Sequence, residues 1–599
     1  MPRPSGPSRH QAAADRIRAD LETGNQRRAE LSLMPLLRSD PDDRSVLAAA
    51  IAVHFAAQRL TQALHFSERA IALYPDSADP LFNHGCLLVR MNRVREGVEF
   101  LTRSCSIDPS DADRWVELAH AHLTLDHLDE CEQALLNALA AHPSHRRARV
   151  LLANHYGLLG ESERSTAIFR ELQREDPNDY TIAQSICLGL NSNPSATPAA
   201  ALAAAKAYGR LIELLNDQPR LPARPRHPGK RPLLLSIVTH EAGRHSVSHF
   251  LEPILRHLPR AAFHVWLIHT GPHADDRTHA LAALADRFDH LPRIASPDLA
   301  RRIHTAGTDI LLETSGMTNG HRLHAVLQRP ASLHVTAIGY PATTGVPGMD
   351  LRLVDHITDP PEHDGHLTET PLRLNRCFLC FSPSPESLAV AVQPGPSQRG
   401  EPFTFGSFNQ SWKINSVIAS RWAAILAAAP GSRLLIKAKA MVQSRARQGL
   451  LDGLAAAGVS ADRVEILPWT ASGADHLNLY SRVDLALDPW PYNGTTTVCE
   501  AMLMGVPTLG MLGDRHVCRV TASLNAAVGL SEFTAPDPAE YTRRAVALAA
   551  DPTPLHTLRT TLRPRLLASP LCDGPAYGRA LGDALTAAYD RTQPLSPPP

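Results

Sequence analysis

DLALDPWPYNGTTTVCEAMLMGVPTLGM, residues 484–511, reads as a strand, a loop, a helix and a second strand in direct succession. The apolar run ends at Asp488, the chain turns through Pro491 and Gly494, and the helix opens on three hydroxyls, Thr495, Thr496 and Thr497. Free backbone N–H groups and the positive end of the helix dipole add to those hydroxyls, which makes an anion site suited to a diphosphate. Glu500 lies four residues beyond Thr496 and shares its helix face, where a carboxylate can accept hydrogen bonds from a ribose diol. A helix capped by threonine gives the same local pattern with no ligand, so the flanking chain has to decide.

Working outward, strand runs alternate with helical segments on both sides. Residues 403–408, 433–438, 463–467, 483–487 and 507–511 form one series; residues 233–238, 263–268, 309–313 and 333–338 form an earlier one. Such alternation builds parallel sheets covered on both faces, with ligands at the carboxyl ends of the strands. Neither GxGxxG nor GxxxxGK[ST] is present, which disfavours dinucleotide oxidoreductases and P-loop kinases. FGSFNQSWKI, residues 405–414, ends a strand on Asn409 and Gln410 and places Lys413 where the next helix begins. A lysine beside a positive helix end calls for an anion between them. In the earlier series, THEAGRHSVSHF, residues 239–250, follows the first strand; His245 and His249 are four apart and are expected on one face of the helix beginning near Val247.

The first third of the chain keeps a different metre. Pro41, Pro75, Pro109, Pro143 and Pro177 are spaced 34 residues apart without drift, the period of the tetratricopeptide repeat. Small residues such as Ala63, Gly85, Ala119 and Ala138 fall where paired helices cross closely, and each proline ends the second helix of its unit. Stacked units of this kind form a groove that grips a ligand, most often a protein segment. The fold class is therefore α + α/β: a helical solenoid over residues 10–179, a helical connector and Pro/Arg-rich linker over 180–230, then two nucleotide-fold lobes over 231–395 and 396–590.

Lys+Arg and Asp+Glu both number 60, so the overall charge gives no bulk attraction to nucleic acid or membrane. The amino terminus shows no apolar signal region and no run approaches a membrane span, so a cytoplasmic protein is expected. Nine scattered cysteines suit reduced thiols, and Cys377-x-x-Cys380 has no second pair to complete a zinc site.

FGSFNQ-x-x-K and PYNGTTTVCEAMLMGVP resemble segments of the O-GlcNAc transferase and SPINDLY group, glycosyltransferase family 41. AIGYPATTGVPGMD (337–350), ITDPPE (357–362), RCFLCFSPSPE (376–386), LGMLGDRHVCRVTASL (509–524) and SPLCDGPAY (569–577) carry the same likeness. The resemblance implies a two-lobed GT-B fold that transfers a sugar from a nucleotide to a Ser/Thr hydroxyl with inversion, needing neither metal nor cofactor. It implies that Lys413 holds the donor phosphates, Gln410 contacts the donor, Thr495, Thr496 and Thr497 cradle the diphosphate, Glu500 binds the ribose and His476 lies by the base. His245 and His304 would be catalytic residues of the cleft, with Arg519, Tyr340 and Pro341 on the donor side. Its implied partners are a nucleotide-sugar and a protein acceptor in the repeat groove. Flagellin with a nonulosonic acid donor, or a scaffold without activity, are the alternatives. Three departures stand out. Thr495 replaces the histidine of the O-GlcNAc enzymes, as in SPINDLY; Arg301 replaces an aspartate; and the groove lacks an asparagine ladder, Asn83 and Asn154 being isolated.

Overall fold

The computed structural model describes residues 10–442 and 445–591. Residues up to His155 form one compact unit; Tyr156–Val442 and the residues from Ala446 onward form a second.

The helices of the solenoid follow the proline metre. Second helices end at Ser39, Leu73, Ile107, Ala141 and Glu175, each two residues before its proline. The intervening turns repeat as well: Gly24, Gln58, Asn92, Asp126 and Gly160 all have positive φ, between 58° and 81°. A left-handed residue turns the first helix sharply into the second, and only two of the five positions use glycine. Close crossing explains the small residues. A Cβ on Gly85 would sit 2.8 Å from Leu101 Cγ, and one on Gly97 would sit 2.7 Å from Val89 Cγ2. The helices Gln11–Glu22 and Gln26–Ser39 form the pair that ends ahead of Pro41.

The second unit holds two parallel sheets. The first contains β1 (Leu233–Thr239), β2 (Phe263–His269), β3 (Arg287–His290), β4 (Ile310–Glu313), β5 (Leu333–Thr336), β6 (Leu351–Asp355) and β7 (Thr370–Leu374), in the order β3-β2-β1-β4-β5-β6-β7. The second contains β8 (Thr404–Ser407), β9 (Arg433–Lys437), β10 (Val464–Leu467), β11 (Leu485–Leu487), β12 (Thr508–Met511) and β13 (Thr534–Ala535), in the order β10-β9-β8-β11-β12-β13. The strand order reverses beside β1 in one sheet and beside β8 in the other, and loops leaving such points open a crevice for ligands.

Two segments, one read as connector and one as the end of the second lobe, pack into the first lobe. The Pro198–Leu214 helix, read as connector, buries Tyr208 and Ile212 in one apolar cluster with Trp266, Ile268 and Leu311 of the first sheet. Gly209 allows that approach, because a Cβ there would lie 1.7 Å from the Gly345 carbonyl oxygen. The Gly574–Asp590 helix, read as the end of the second lobe, puts Tyr577, Leu581, Leu585 and Tyr589 into the core of the first. Tyr577 Oη donates to the Phe378 carbonyl at 2.8 Å, and Gly578 lets the helix meet the His257 backbone. Removing the Tyr208 ring leaves a cavity, so Tyr208→Ala should cost about 3–5 kcal/mol. Urea unfolding of the second unit checks this; an unchanged midpoint would show the helix to be a mere tether.

The carboxyl edges of the two sheets face each other. Arg519, beyond β12, donates from Nε to the Ile357 carbonyl beyond β6 at 2.6 Å, and His516 pairs with the buried Asp359. Ser523 Oγ donates to Asp355 Oδ2 at the end of β6.

Candidate active site

Asp488 directly follows β11 and is 2% exposed. Its Oδ1 accepts the Gly494 N–H at 2.8 Å and its Oδ2 accepts the Thr521 hydroxyl at 2.5 Å, which ties the loop down at both ends. Gly494 is required: a Cβ would stand 2.5 Å from Thr497 Oγ1 and 2.9 Å from Asp488 Oδ1. Burial pushes the Asp488 carboxyl up to about 6, against the pull of Lys413. The Thr496–Leu503 helix therefore starts at a fixed place, with Thr495 as an N-cap whose side chain makes no capping bond. Thr497 Oγ1 donates to Asn409 Oδ1 of the β8 loop at 3.2 Å. Thr496 Oγ1 is buried without a hydrogen-bond partner. A buried hydroxyl left unpaired beside free helix N–H groups is what an absent oxyanion would satisfy.

Lys413 comes to the same loop from β8. It closes the short Ser411–Lys413 turn, donates from Nζ to the Asn493 carbonyl at 2.8 Å, and lies 4.5 Å from the centre of the Tyr492 ring. Burial lowers its ammonium to about 8, while Asp488 works in the opposite direction. An ammonium with that pKa is charged below about pH 8 and neutral above it, so nucleoside diphosphate affinity should fall as pH rises from about 7 to 9. Calorimetric titration with GDP or UDP at each pH would reveal it, and a flat profile would remove Lys413 from the phosphate site.

On the next turn of the helix, Glu500 Oε2 meets His476 Nε2 at 3.1 Å, and His476 Nδ1 meets Lys437 Nζ at 2.9 Å. His476 also lies against Phe408 and Tyr480, and Tyr480 Oη donates to the Thr497 carbonyl at 3.1 Å. Gln410 caps the Lys413 turn and is exposed. Lys413, Gln410, His476, the three threonines and Glu500 thus share one carboxyl edge, at the switch point between β8 and β11.

The first lobe offers its own switch point. His245 is exposed in the loop after β1, its Nδ1 accepting the Val247 N–H at 3.3 Å. Glu241 of that loop accepts the hydroxyls of Ser315 at 2.7 Å and Thr318 at 2.9 Å, which ties the β1 and β4 loops together. The expectation that His245 and His249 share a helical face is corrected: the helix starts at Ser248, and His249 Nδ1 turns instead to the Ser382 carbonyl at 3.0 Å.

Four other expected residues lie elsewhere or serve structure. His304 ends the Ser296–Thr305 helix ahead of β4, at the amino edge of the sheet, and bonds the Pro222 carbonyl at 3.0 Å. It is not brought to the cleft. Tyr340 is 4% exposed in the apolar cluster around Trp266 and Tyr208, where burial raises its hydroxyl pKa; Pro341 follows it half-buried. Arg519 spends its guanidinium on the Ile357 and Gly513 carbonyls, joining the lobes. Asn493, Lys437 and Glu241 escaped sequence reading, and Asp488 was read only as the end of an apolar run; Asp488, Lys437 and Glu241 stand at or just beyond a strand's carboxyl end, a signal that could have singled them out. Among the described residues, no group of three or more His, Cys, Asp or Glu side chains could hold a metal ion.

The profile of Glycosyl transferase family 41 matches residues 208–380 and 392–581, more than half of the chain. The chain belongs to glycosyl transferase family 41. Among family relatives, the Arabidopsis thaliana protein named "Probable UDP-N-acetylglucosamine--peptide N-acetylglucosaminyltransferase SPINDLY" is 37% identical over 359 residues, 59% of this chain and 39% of that protein. Its namesake in Oryza sativa subsp. japonica is 39% identical over 365 residues, 60% of this chain and 39% of the relative. The chain thus matches about two fifths of the length of these curated relatives. A solved variant of the Thermobaculum terrenum O-GlcNAc transferase superposes with a TM-score of 0.75 at 27% identity, covering 86% of this chain and 98% of the other. Repeats followed by the two lobes of a GT-B transferase are therefore the architecture of this family 41 member. No helix among its described residues is long and apolar enough to cross a membrane.

Proposed function

We propose that this chain transfers a sugar from a nucleoside diphosphate to a serine or threonine hydroxyl of a protein, with inversion and without a metal. The observation that carries the reading is the convergence of the unpartnered Thr496 hydroxyl, the helix start and the Lys413 ammonium on one point at the β8–β11 switch. The acceptor oxygen forms a bond to the anomeric carbon as the bond from that carbon to the diphosphate breaks. The hydroxyl proton passes to solvent or to a nearby base, for which His245 is the candidate. Lys413 and the helix N–H groups take up the negative charge of the departing diphosphate, the task a metal ion performs in other transferases. Glu500 exchanges its bond to His476 for the ribose hydroxyls.

Acceptor capture falls to the solenoid in this reading. A chain starting near residue 144 loses the first four helix pairs and keeps every proposed donor contact, together with the Pro198–Leu214 helix that the first lobe needs. It should bind nucleotide as the full chain does and lose most modification of the natural protein acceptor. Mass spectrometry of the acceptor, with EDTA present throughout, is the test. Equal modification by both chains would place acceptor binding outside the first four helix pairs, and loss of transfer on adding EDTA alone would overturn metal independence.

A further inference from the structure

The polar chain that leaves the phosphate cradle ends on an exposed aromatic ring. Glu500 holds His476, His476 holds Lys437, and the Lys437 ammonium lies 4.6 Å from the centre of the Trp469 ring. Trp469 follows β10 and is 65% exposed, whereas Lys437 at the end of β9 is 7% exposed. A large apolar ring left in water at a ligand edge is unusual, and here it is anchored: the buried lysine fixes one end of the indole's setting while most of its surface stays open. The order of groups along this edge is that of a nucleoside diphosphate. Hydroxyls and N–H donors come first, then a carboxylate one helical turn away, then an imidazole, an ammonium and an aromatic face.

We infer that Trp469 is the stacking platform for the nucleobase of the donor, and that Lys437 is the positioning residue that holds it there. The inference rests on the nucleotide-sugar reading and assigns its specificity end. Stacking needs only a π-face, so Trp469 supplies affinity for any base, in proportion to the area stacked, and favours a purine over a pyrimidine. Lys437 carries donors and no acceptor, so the edge it presents suits a base with a carbonyl oxygen.

The test uses the full-length protein, isothermal titration with GDP, UDP and ADP, and inorganic pyrophosphate as the probe without a base. Trp469→Ala should weaken GDP about tenfold or more, weaken UDP less, and leave pyrophosphate unchanged. Trp469→Phe should recover most of the loss, and quenching of tryptophan fluorescence by GDP should shrink in either variant. Lys437→Met should weaken GDP while retaining part of the quenching. If Trp469→Ala binds GDP as the wild type does while Thr496→Val binds it weakly, the platform is refuted and the nucleotide site stands. If the wild type binds pyrophosphate but shows no preference for any nucleotide over it, the platform is refuted. If it binds none of the four probes, the nucleotide reading falls and the platform with it.

Discussion

Lys413→Ala should reduce sugar transfer by about 100-fold or more, a loss of roughly 3 kcal/mol of transition-state stabilisation, while the protein stays folded. The lysine sits where a leaving diphosphate would gather charge, and its Nζ is held by one backbone carbonyl, that of Asn493. Its removal takes away a single cation in a partly dehydrated place, where charge counts for more than in water. The fold has other supports there: Asp488 keeps its bonds to Gly494 and Thr521, and Asn415 still donates to the Trp490 carbonyl at 2.7 Å. Circular dichroism and acceptor binding should therefore match the wild type, with the deficit in kcat and in donor KM. Turnover equal to the wild type would overturn the assignment of the whole loop.

The second large effect concerns the donor. UDP-GlcNAc should be used about ten- to a hundredfold less well than a GDP-linked deoxysugar, equivalent to roughly 1–3 kcal/mol for one lost polar contact. Thr495 is the reason. It caps the Thr496–Leu503 helix without a side-chain capping bond, and its neutral hydroxyl stands where the resembling O-GlcNAc enzymes carry an imidazole. A donor that depends on that imidazole finds neither its hydrogen bond nor its charge. Initial rates in direct competition on one acceptor measure the ratio, and Thr495→His should shift it toward UDP-GlcNAc. Preferred use of UDP-GlcNAc by the wild type would return the chain to the O-GlcNAc branch.

Much of the site was legible because its elements are local. The sequence 484–511 contains a strand, a glycine forced by close approach and a helix start, and these are set by residues within a few positions of one another. The nine expected strands all appear, most of them as runs of buried residues with an apolar majority. β3, β6, β7 and β13 were not legible. β3 reads Arg-Phe-Asp-His at a sheet edge, and β6 hides Arg352, which is 2% exposed and bonds the Tyr340 and Ala342 carbonyls. Such strands lack the apolar pattern, and pairing with neighbours creates them. The positive-φ turns were hidden for a related reason. Gln58, Asn92 and Asp126 are not glycine, and the packing of the two helices around each turn holds them in place.

By itself the sequence determined the 34-residue period, the alternation of strand and helix, and the types of side chain at the phosphate loop. These follow from spacing along the chain, which periodicity and turn chemistry report directly. The tertiary structure alone decided which of those side chains meet. It brought His476 to Glu500 and Lys413 to Asn493 from elements 24 and 80 residues apart. It sent His304 to the amino edge of its sheet, and it enclosed Tyr340 in one apolar cluster with Tyr208. It also returned the Gly574–Asp590 helix to the first lobe, through Gly578, whose missing Cβ lets it reach the His257 backbone. Strand order and helix docking depend on burying the summed apolar faces of distant segments, and no window of sequence contains that sum.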